Sequence, residues 1–205
     1  MLSRLVAIVA KRYIFDPRRQ CVLMGALCVS LTVSIAHAYG FNVNALEPST
    51  LFLQAGIGNQ STHAYIAGTT WNWAWSRQYS WLDASGFFEG TVGRWTTDDH
   101  GISGSIWATQ IGVTPVIRLQ TDSGAANNWF AELGVGANVI VPLYRTGRKR
   151  FSTEFNFGDH FGIGRQFGRR REHELMVRMQ HFSNAGIKHP NPGENFVQLR
   201  YAHRL

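Results

Sequence analysis

A histidine and a serine near the carboxyl end of the chain have the types and the spacing of a nucleophile and its base. One residue separates His181 from Ser183, and side chains at positions i and i+2 of a strand point to the same face. A serine hydroxyl is a weak nucleophile until a base within hydrogen-bonding reach takes its proton. The pair therefore predicts a serine nucleophile, Ser183, that is activated by His181.

The loop that follows the serine carries other groups that such a site needs. Glu194 is a carboxylate that could accept a hydrogen bond from the second ring nitrogen of His181 and so orient the base. Asn184, Asn191 and the backbone amides near Ala185 and Gly186 offer N–H donors for an oxyanion. A His-x-Ser pair alone is a weak signal, and these loop residues strengthen the catalytic interpretation.

Strands must position this pair, because apolar residues alternate with small or polar ones through most of the chain. With 44% hydrophobic, 13% aromatic and 16% charged residues, the composition excludes a disordered chain and argues against a long coiled coil. The smallest bacterial outer-membrane barrels have about eight strands. We expect an all-β protein, an eight-stranded antiparallel transmembrane β-barrel. The alternation predicts strands at residues 51–58, 64–75, 82–93, 106–119, 129–141, 152–164, 173–183 and 196–205.

Alternation alone does not say which face of the barrel points outward, and a soluble barrel of the lipocalin or avidin kind is the alternative. Two sets of residues favour lipid outside. The apolar faces carry tryptophans, as aromatic girdles do: Trp71, Trp73, Trp75, Trp107 and Trp129. The opposite faces carry charged and amide groups that could pair inside a narrow barrel: Glu89, Arg118, Glu132, Glu154, Arg178, Gln198 and Arg200.

The histidine–serine pair falls on the apolar face of the seventh predicted strand. His181 and Ser183 share parity with Leu175, Val177 and Met179. Polar groups that face lipid cost free energy unless they have partners or a function. With both termini in the periplasm, odd-numbered strands run outward, so we expect the pair at the cell-surface end of the strand.

The amino-terminal segment has the order of a secretory signal peptide. A basic segment is followed by an apolar run and then by Ala-His-Ala at residues 36–38, a small-x-small cleavage pattern. We expect residues 1–38 to be removed and residues 39–205 to form the barrel domain. An internal start at Met24 and a retained amino-terminal anchor are the alternatives.

Removal of that segment changes two properties of the chain. Cys21 and Cys28 would both be lost, which leaves no disulfide framework and no thiolate chemistry. The remaining 15 basic and 12 acidic residues give a net charge of +3. Nucleic-acid binding then lacks its main electrostatic support.

The run from His181 to Asn195, HFSNAGIKHPNPGEN, resembles the signature of the lipid A 3-O-deacylase (PagL) family. The resemblance implies a serine esterase in the bacterial outer membrane that hydrolyses the acyl chain ester-linked at position 3 of lipid A in the outer leaflet. The family's Ser-His-Glu triad maps onto Ser183, His181 and Glu194. The chain departs from the family in one respect, because the family's acid falls where Asn195 stands here.

The implied partners are lipid A, as part of lipopolysaccharide, and the lipids of the outer membrane. Lys188, Arg148 and Lys149 are candidates for contacting the phosphates of lipid A. We expect no cofactor, and no metal, since the histidines and acids show no metal-ligand spacing. A homodimer is a further possibility, and its interface would have to leave the outer face of the seventh strand free. The alternative function is a non-enzymatic structural outer-membrane barrel, in which His181 and Ser183 only hydrogen-bond the loop.

Overall fold

Eight antiparallel strands form a closed barrel in the computed structural model, which describes residues 47–98, 105–121 and 128–205. Each strand pairs with the next, and β1 closes the barrel on β8. The predicted eight-stranded all-β fold is confirmed, whereas the predicted signal peptide lies outside the described residues. The strands are β1 (Thr50–Gly58), β2 (Thr62–Tyr79), β3 (Leu82–Asp98), β4 (Ser105–Thr121), β5 (Trp129–Val141), β6 (Phe155–Phe167), β7 (His173–Ser183) and β8 (Glu194–Arg204).

The outer surface of the barrel is apolar. Leu53, Ile57 and Met179 are each about two-thirds exposed, at 66%, 64% and 64%. Exposed apolar surface of this extent is unfavourable in water, but it suits contact with the hydrocarbon core of a membrane. The outward-facing apolar side chains therefore indicate a membrane-spanning barrel rather than a soluble one. No helix in the described part of the chain is long and apolar enough to cross a membrane.

Two tryptophans of the predicted girdle pack over glycines of the neighbouring strand. A Cβ atom at Gly86 would lie 2.0 Å from the Trp73 ring, and one at Gly90 would lie 2.8 Å from the Trp71 ring. Both indoles are half-buried as a result. The glycines therefore let large aromatic side chains lie against the barrel wall instead of projecting from it.

Charged groups fill the middle of the barrel interior and neutralise one another there. Glu89 accepts from the Arg178 guanidinium at 3.0 Å and from the Arg200 guanidinium at 2.7 Å. Arg118 pairs with Glu132 and, at 2.7 Å, with Glu174. Mutual pairing offsets the large cost of removing these ions from water. The predicted polar interior is confirmed for these residues.

Glu154 was predicted to face the interior, and that prediction was wrong. The sixth strand begins at Phe155 rather than at residue 152, and Glu154 is exposed in the loop before it. Residues 142–154 form a loop that folds back toward the barrel instead of extending the strand. Its backbone bonds include one from Phe151 N–H to the Tyr144 carbonyl oxygen.

An aromatic cluster fills the end of the barrel at which β7 ends and β8 begins. Trp95 lies in it, with its ring centroid 5.3 Å from Tyr144, 4.8 Å from Phe182 and 4.9 Å from Phe196. The Tyr144 hydroxyl bonds to the hydroxyl of Thr62 at 2.9 Å, so the loop between β5 and β6 is fixed to the wall. This end of the barrel is therefore packed with side chains.

Candidate active site

The end of β7 and the start of β8 place three polar side chains side by side on the outer face. His181 and Ser183 are half-buried and share parity with the exposed Met179 of the same strand. Asn195 is exposed and lies directly opposite His181 in the β7–β8 register. Polar groups therefore interrupt the apolar outer surface at this end of the strand pair.

The His181 ring is oriented by Asn195. The ring nitrogen Nδ1 lies 2.6 Å from the side-chain oxygen Oδ1 of Asn195. An amide oxygen can only accept, so the contact assigns the donor role to Nδ1 and leaves Nε2 as the nitrogen that can accept. This tautomer is the one that can take a proton from Ser183.

A glycine lets the imidazole lie against the loop between β7 and β8. Gly193 has φ +65°, a backbone conformation that L side chains rarely adopt. A Cβ atom there would lie 2.7 Å from His181 Cε1 and 3.4 Å from Nε2. Any larger residue would therefore push the ring away from its present position.

The structure does not bring Glu194 to His181. Glu194 is fully buried inside the barrel end, where its Oε1 lies 2.9 Å from the Lys149 ammonium nitrogen and accepts from the Asn59 backbone N–H at 3.2 Å. Successive side chains of a strand point to opposite faces, so Glu194 points in and Asn195 points out. Asn195 occupies the place beside the imidazole that the sequence suggested for Glu194.

Lys149 lies in the barrel end rather than on the substrate side. Its side chain is buried, and its Nζ donates to Glu194 Oε1 and, at 3.1 Å, to the Gly193 carbonyl oxygen. The Lys149 ammonium group is therefore used within the protein, whereas the sequence suggested a contact with lipid A phosphates. Arg148 and Lys188 are exposed.

Asn184 and Gly186, two of the predicted oxyanion donors, are used to build the loop. The Asn184 Nδ2 group donates to Ser152 Oγ at 3.0 Å, to Thr153 Oγ1 at 3.1 Å and to the Lys188 carbonyl at 2.8 Å. The Gly186 backbone N–H donates to Asn184 Oδ1 at 3.0 Å. Asn184 therefore holds the two loops together, and neither group is free to bind an oxyanion.

Asn191 and Ala185 are better placed as donors. The Asn191 side-chain oxygen accepts from the Asn184 N–H at 3.1 Å, which holds this amide beside the residue after Ser183. Its NH₂ group is the donor that remains. The Ala185 N–H lies 3.5 Å from Ser183 Oγ, next to the nucleophile. The role of Ala185 depends on its positive φ of 52°, for which the sequence carries no clear signal.

The arrangement is suited to acyl transfer. His181, Ser183 and Asn195 supply a base, a hydroxyl and an orienting group. Within residues 47–98, 105–121 and 128–205, no group of three or more His, Cys, Asp or Glu side chains could hold a metal ion.

Comparisons with known proteins identify similar sequences. The family model for lipid A 3-O-deacylase (PagL) matches residues 63–204. A Bordetella bronchiseptica protein named lipid A deacylase PagL is 33% identical over 156 residues, which are 75% of this chain and 82% of that protein. A Pseudomonas aeruginosa protein of the same name is 26% identical over 183 residues, 87% of this chain and 94% of that one.

The fold is also similar to a solved structure. The crystal structure of the outer membrane enzyme PagL superimposes with a TM-score of 0.66 at 24% identity, covering 77% of this chain and all of that chain (100%). At this identity the superposition supports the barrel architecture, and the family model and the relatives carry the assignment. The chain belongs to the lipid A 3-O-deacylase (PagL) family.

Proposed function

We propose that the protein is a serine esterase of the bacterial outer membrane that hydrolyses the acyl chain ester-linked at position 3 of lipid A. Ser183 is the nucleophile, His181 is the general base and Asn195 orients the base. One observation carries this assignment of roles: the 2.6 Å contact between His181 Nδ1 and Asn195 Oδ1, on the outer face and two residues from Ser183. The family membership of the chain supports the reaction and the substrate.

The reaction proceeds by two acyl transfers. His181 Nε2 takes the Ser183 proton while Oγ attacks the ester carbonyl carbon, and the carbonyl π electrons move to the oxygen. Collapse of this intermediate breaks the bond to the 3-oxygen of the sugar, which leaves with the proton from His181. Water then attacks the acyl-enzyme, again with His181 as base. The products are a free fatty acid, the 3-hydroxyl of lipid A and regenerated Ser183.

The negative oxygen of each intermediate needs N–H donors near Ser183 Oγ. The Ala185 N–H is already 3.5 Å from that atom, and the Asn191 NH₂ group is held beside the same segment by the bond from Asn184 N–H to Asn191 Oδ1. Prepositioned donors of this kind stabilise the charge that develops in the transition state. We assign the oxyanion site to Asn191 and Ala185.

The substrate reaches Ser183 from the membrane rather than through the barrel. The interior at this end is filled by Trp95, Phe182 and Phe196, all buried. Ser183 lies instead on the outer surface, above the exposed apolar Met179 and Val177. Lipid A in the outer leaflet can present an ester at this height while its acyl chains stay in the hydrocarbon.

Exposed cations of two adjoining loops are suited to the phosphates of lipid A. Ser152 Oγ donates to the Lys188 carbonyl at 2.9 Å, so the loop that carries Arg148 contacts the loop that carries Lys188. Both side chains are exposed at the site end of the barrel, where they could pair with phosphate oxygens. A homodimer would be compatible with this site only if its interface left the outer face around His181 and Ser183 free.

The test is mass spectrometry of purified lipid A after incubation with the protein in detergent micelles. The wild-type protein should release one 3-linked fatty acid, while Ser183→Ala and His181→Asn should each reduce the rate by at least about 1000-fold. Heat-modifiable migration on gels should be retained by both variants, which shows that the barrel is folded.

The same measurement separates the esterase from a non-enzymatic barrel. Unchanged acylation of lipid A by the folded wild-type protein would favour the structural role. Full activity of Ser183→Ala would instead contradict the assignment of the nucleophile and leave the reaction class standing.

A further inference from the structure

A carboxylate stands on the lipid-facing surface of the barrel beside the candidate base. Asp159 lies in β6 and is exposed on the outer face, between Phe157 and Phe161 of the same face. An ionised carboxylate among aromatic side chains at a membrane surface costs free energy unless it has a partner or a function. A partner or a function must therefore explain a carboxylate at this place on the surface.

His181 is the polar neighbour that the register gives to Asp159. Asp159 pairs with Val135 on the β5 side and with His181 on the β7 side. Directly opposed side chains of antiparallel strands have Cβ atoms about 4.5–5.5 Å apart, a distance at which a carboxylate and an imidazole can interact. Asp159, His181 and Asn195 thus form one row across β6, β7 and β8.

The proposed reaction creates a need for negative charge at this place. When His181 takes the proton of Ser183 it becomes an imidazolium cation. Its partner at Nδ1 is the Asn195 amide, which fixes the ring but carries no charge. Glu194, the acid that precedes Asn195, faces the interior and pairs with Lys149. A carboxylate on the outer face is the group that can offset the cation.

We propose that Asp159 is a positioning residue that supplies negative charge to the imidazolium of His181, while Asn195 orients the ring. The two tasks that one carboxylate performs in a Ser-His-Asp triad are thereby divided between the two cross-strand neighbours of the base. The inference rests on the proposed serine esterase function and assigns a residue to that same site.

The first measurement is the steady-state rate of Asp159→Asn on lipid A in micelles. This change keeps the shape of the side chain and removes its charge, so kcat should fall roughly tenfold or more with KM unchanged. Glu154→Gln is the matched control, because Glu154 is an exposed acid just before the same strand. The control should keep wild-type kcat.

The second measurement moves the charge to the other neighbour of the base. Asn195→Asp retains an oxygen at the 2.6 Å contact with His181 Nδ1 and adds a carboxylate. In the Asp159→Asn background it should restore kcat to within about threefold of wild type, since both positions flank the same imidazole. A purely structural role for Asp159 would not be rescued by a change on β8.

Three outcomes would overturn the inference: wild-type kcat in Asp159→Asn, a loss that Asn195→Asp does not restore, or loss of heat-modifiable folding in Asp159→Asn. Each is distinguishable from failure of the proposed function. If the protein is not an esterase, then the wild-type protein and the Ser183→Ala variant will both leave lipid A unchanged.

Discussion

The two faces of the β7–β8 strand pair carry similar polar residues in different surroundings. On the inner face Arg178 and Arg200 share Glu89, and Glu194 holds Lys149. On the outer face His181 Nδ1 contacts Asn195 at the edge of an apolar surface. The inner groups are paired with one another, which offsets the free-energy cost of burying their charges. The outer groups instead leave His181 Nε2 and the Ser183 hydroxyl for a substrate.

Two consecutive residues show how strongly the face decides the role. Glu194 is fully buried and neutralises a lysine, and Asn195 is exposed and contacts the base. A carboxylate is chemically the better partner of an imidazolium, but it cannot act from the wrong face of the strand. Charge at the inner face supports stability, and geometry at the outer face supports chemistry.

The largest effect is expected from the centre of the inner face. Glu89→Gln would leave two buried guanidinium groups without their shared carboxylate, so we expect the free energy of unfolding to fall by about 3–5 kcal/mol. Urea titration of the refolded protein in detergent, followed by tryptophan fluorescence, measures this. The specific activity of the folded fraction should be unchanged. A large loss of activity in Glu89→Gln with an unchanged free energy of unfolding would contradict the claim that inner-face charges act mainly on stability.

A smaller loss of stability is expected where the inner face meets the loops. Lys149→Met leaves Glu194 buried without its cation and should lower the free energy of unfolding by about 2–3 kcal/mol. The double variant Lys149→Met, Glu194→Gln removes both charges and should recover at least half of that loss in the same titration. Absence of recovery would show that the ammonium group acts mainly through the Gly193 carbonyl.

At the outer face a single methyl group should affect rate more than stability. Gly193→Ala places a Cβ atom 2.7 Å from His181 Cε1, so we expect kcat to fall roughly 10- to 100-fold as the base is displaced. Stability should fall by about 1 kcal/mol because of the positive φ.

Gly186→Ala is the matched control for this change. Gly186 also has a positive φ, +80°, but a Cβ atom there would have no neighbour within 4 Å. Its backbone strain should resemble that of Gly193→Ala without displacement of the imidazole. Equal loss of kcat in the two variants would attribute the effect to loop strain rather than to contact with His181.

The smallest effects are expected from the exposed loop cations. Arg148→Ala and Lys188→Ala should each raise KM about two- to fivefold at low salt and leave kcat unchanged, because exposed ion pairs contribute little individually. Kinetic assays in about 0.5 M NaCl should reduce the difference from wild type. A similar rise of KM for lipid A without phosphates would contradict phosphate binding by these side chains.

Much of the barrel could be predicted because its pattern is local. Inward Arg178 and outward Val177 follow from the two-residue period of a strand, which any eight-residue window reveals. Glu154 was misplaced because the alternation continues into a loop, and only the packing of residues 142–154 shows where β6 begins.

The site was less predictable because its parts come from different strands and loops. His181 and Ser183 are two residues apart in one strand, so their side chains had to share a face. The burial of Lys149 depends on how the loop between β5 and β6 packs, and the assignment of Asn184 to loop structure depends on Ser152 and Thr153 of that same loop. Residues so far apart in sequence leave no spacing signal.

The sequence by itself determined the strand period, the separation of apolar and polar faces and the nucleophile–base pair, because each is set by neighbours within a few positions. The tertiary structure decided what stands on either side of the base: Asn195 from β8 and Asp159 from β6, with Glu194 turned inward to Lys149. Cross-strand register sets these contacts, and register depends on closure of the whole barrel.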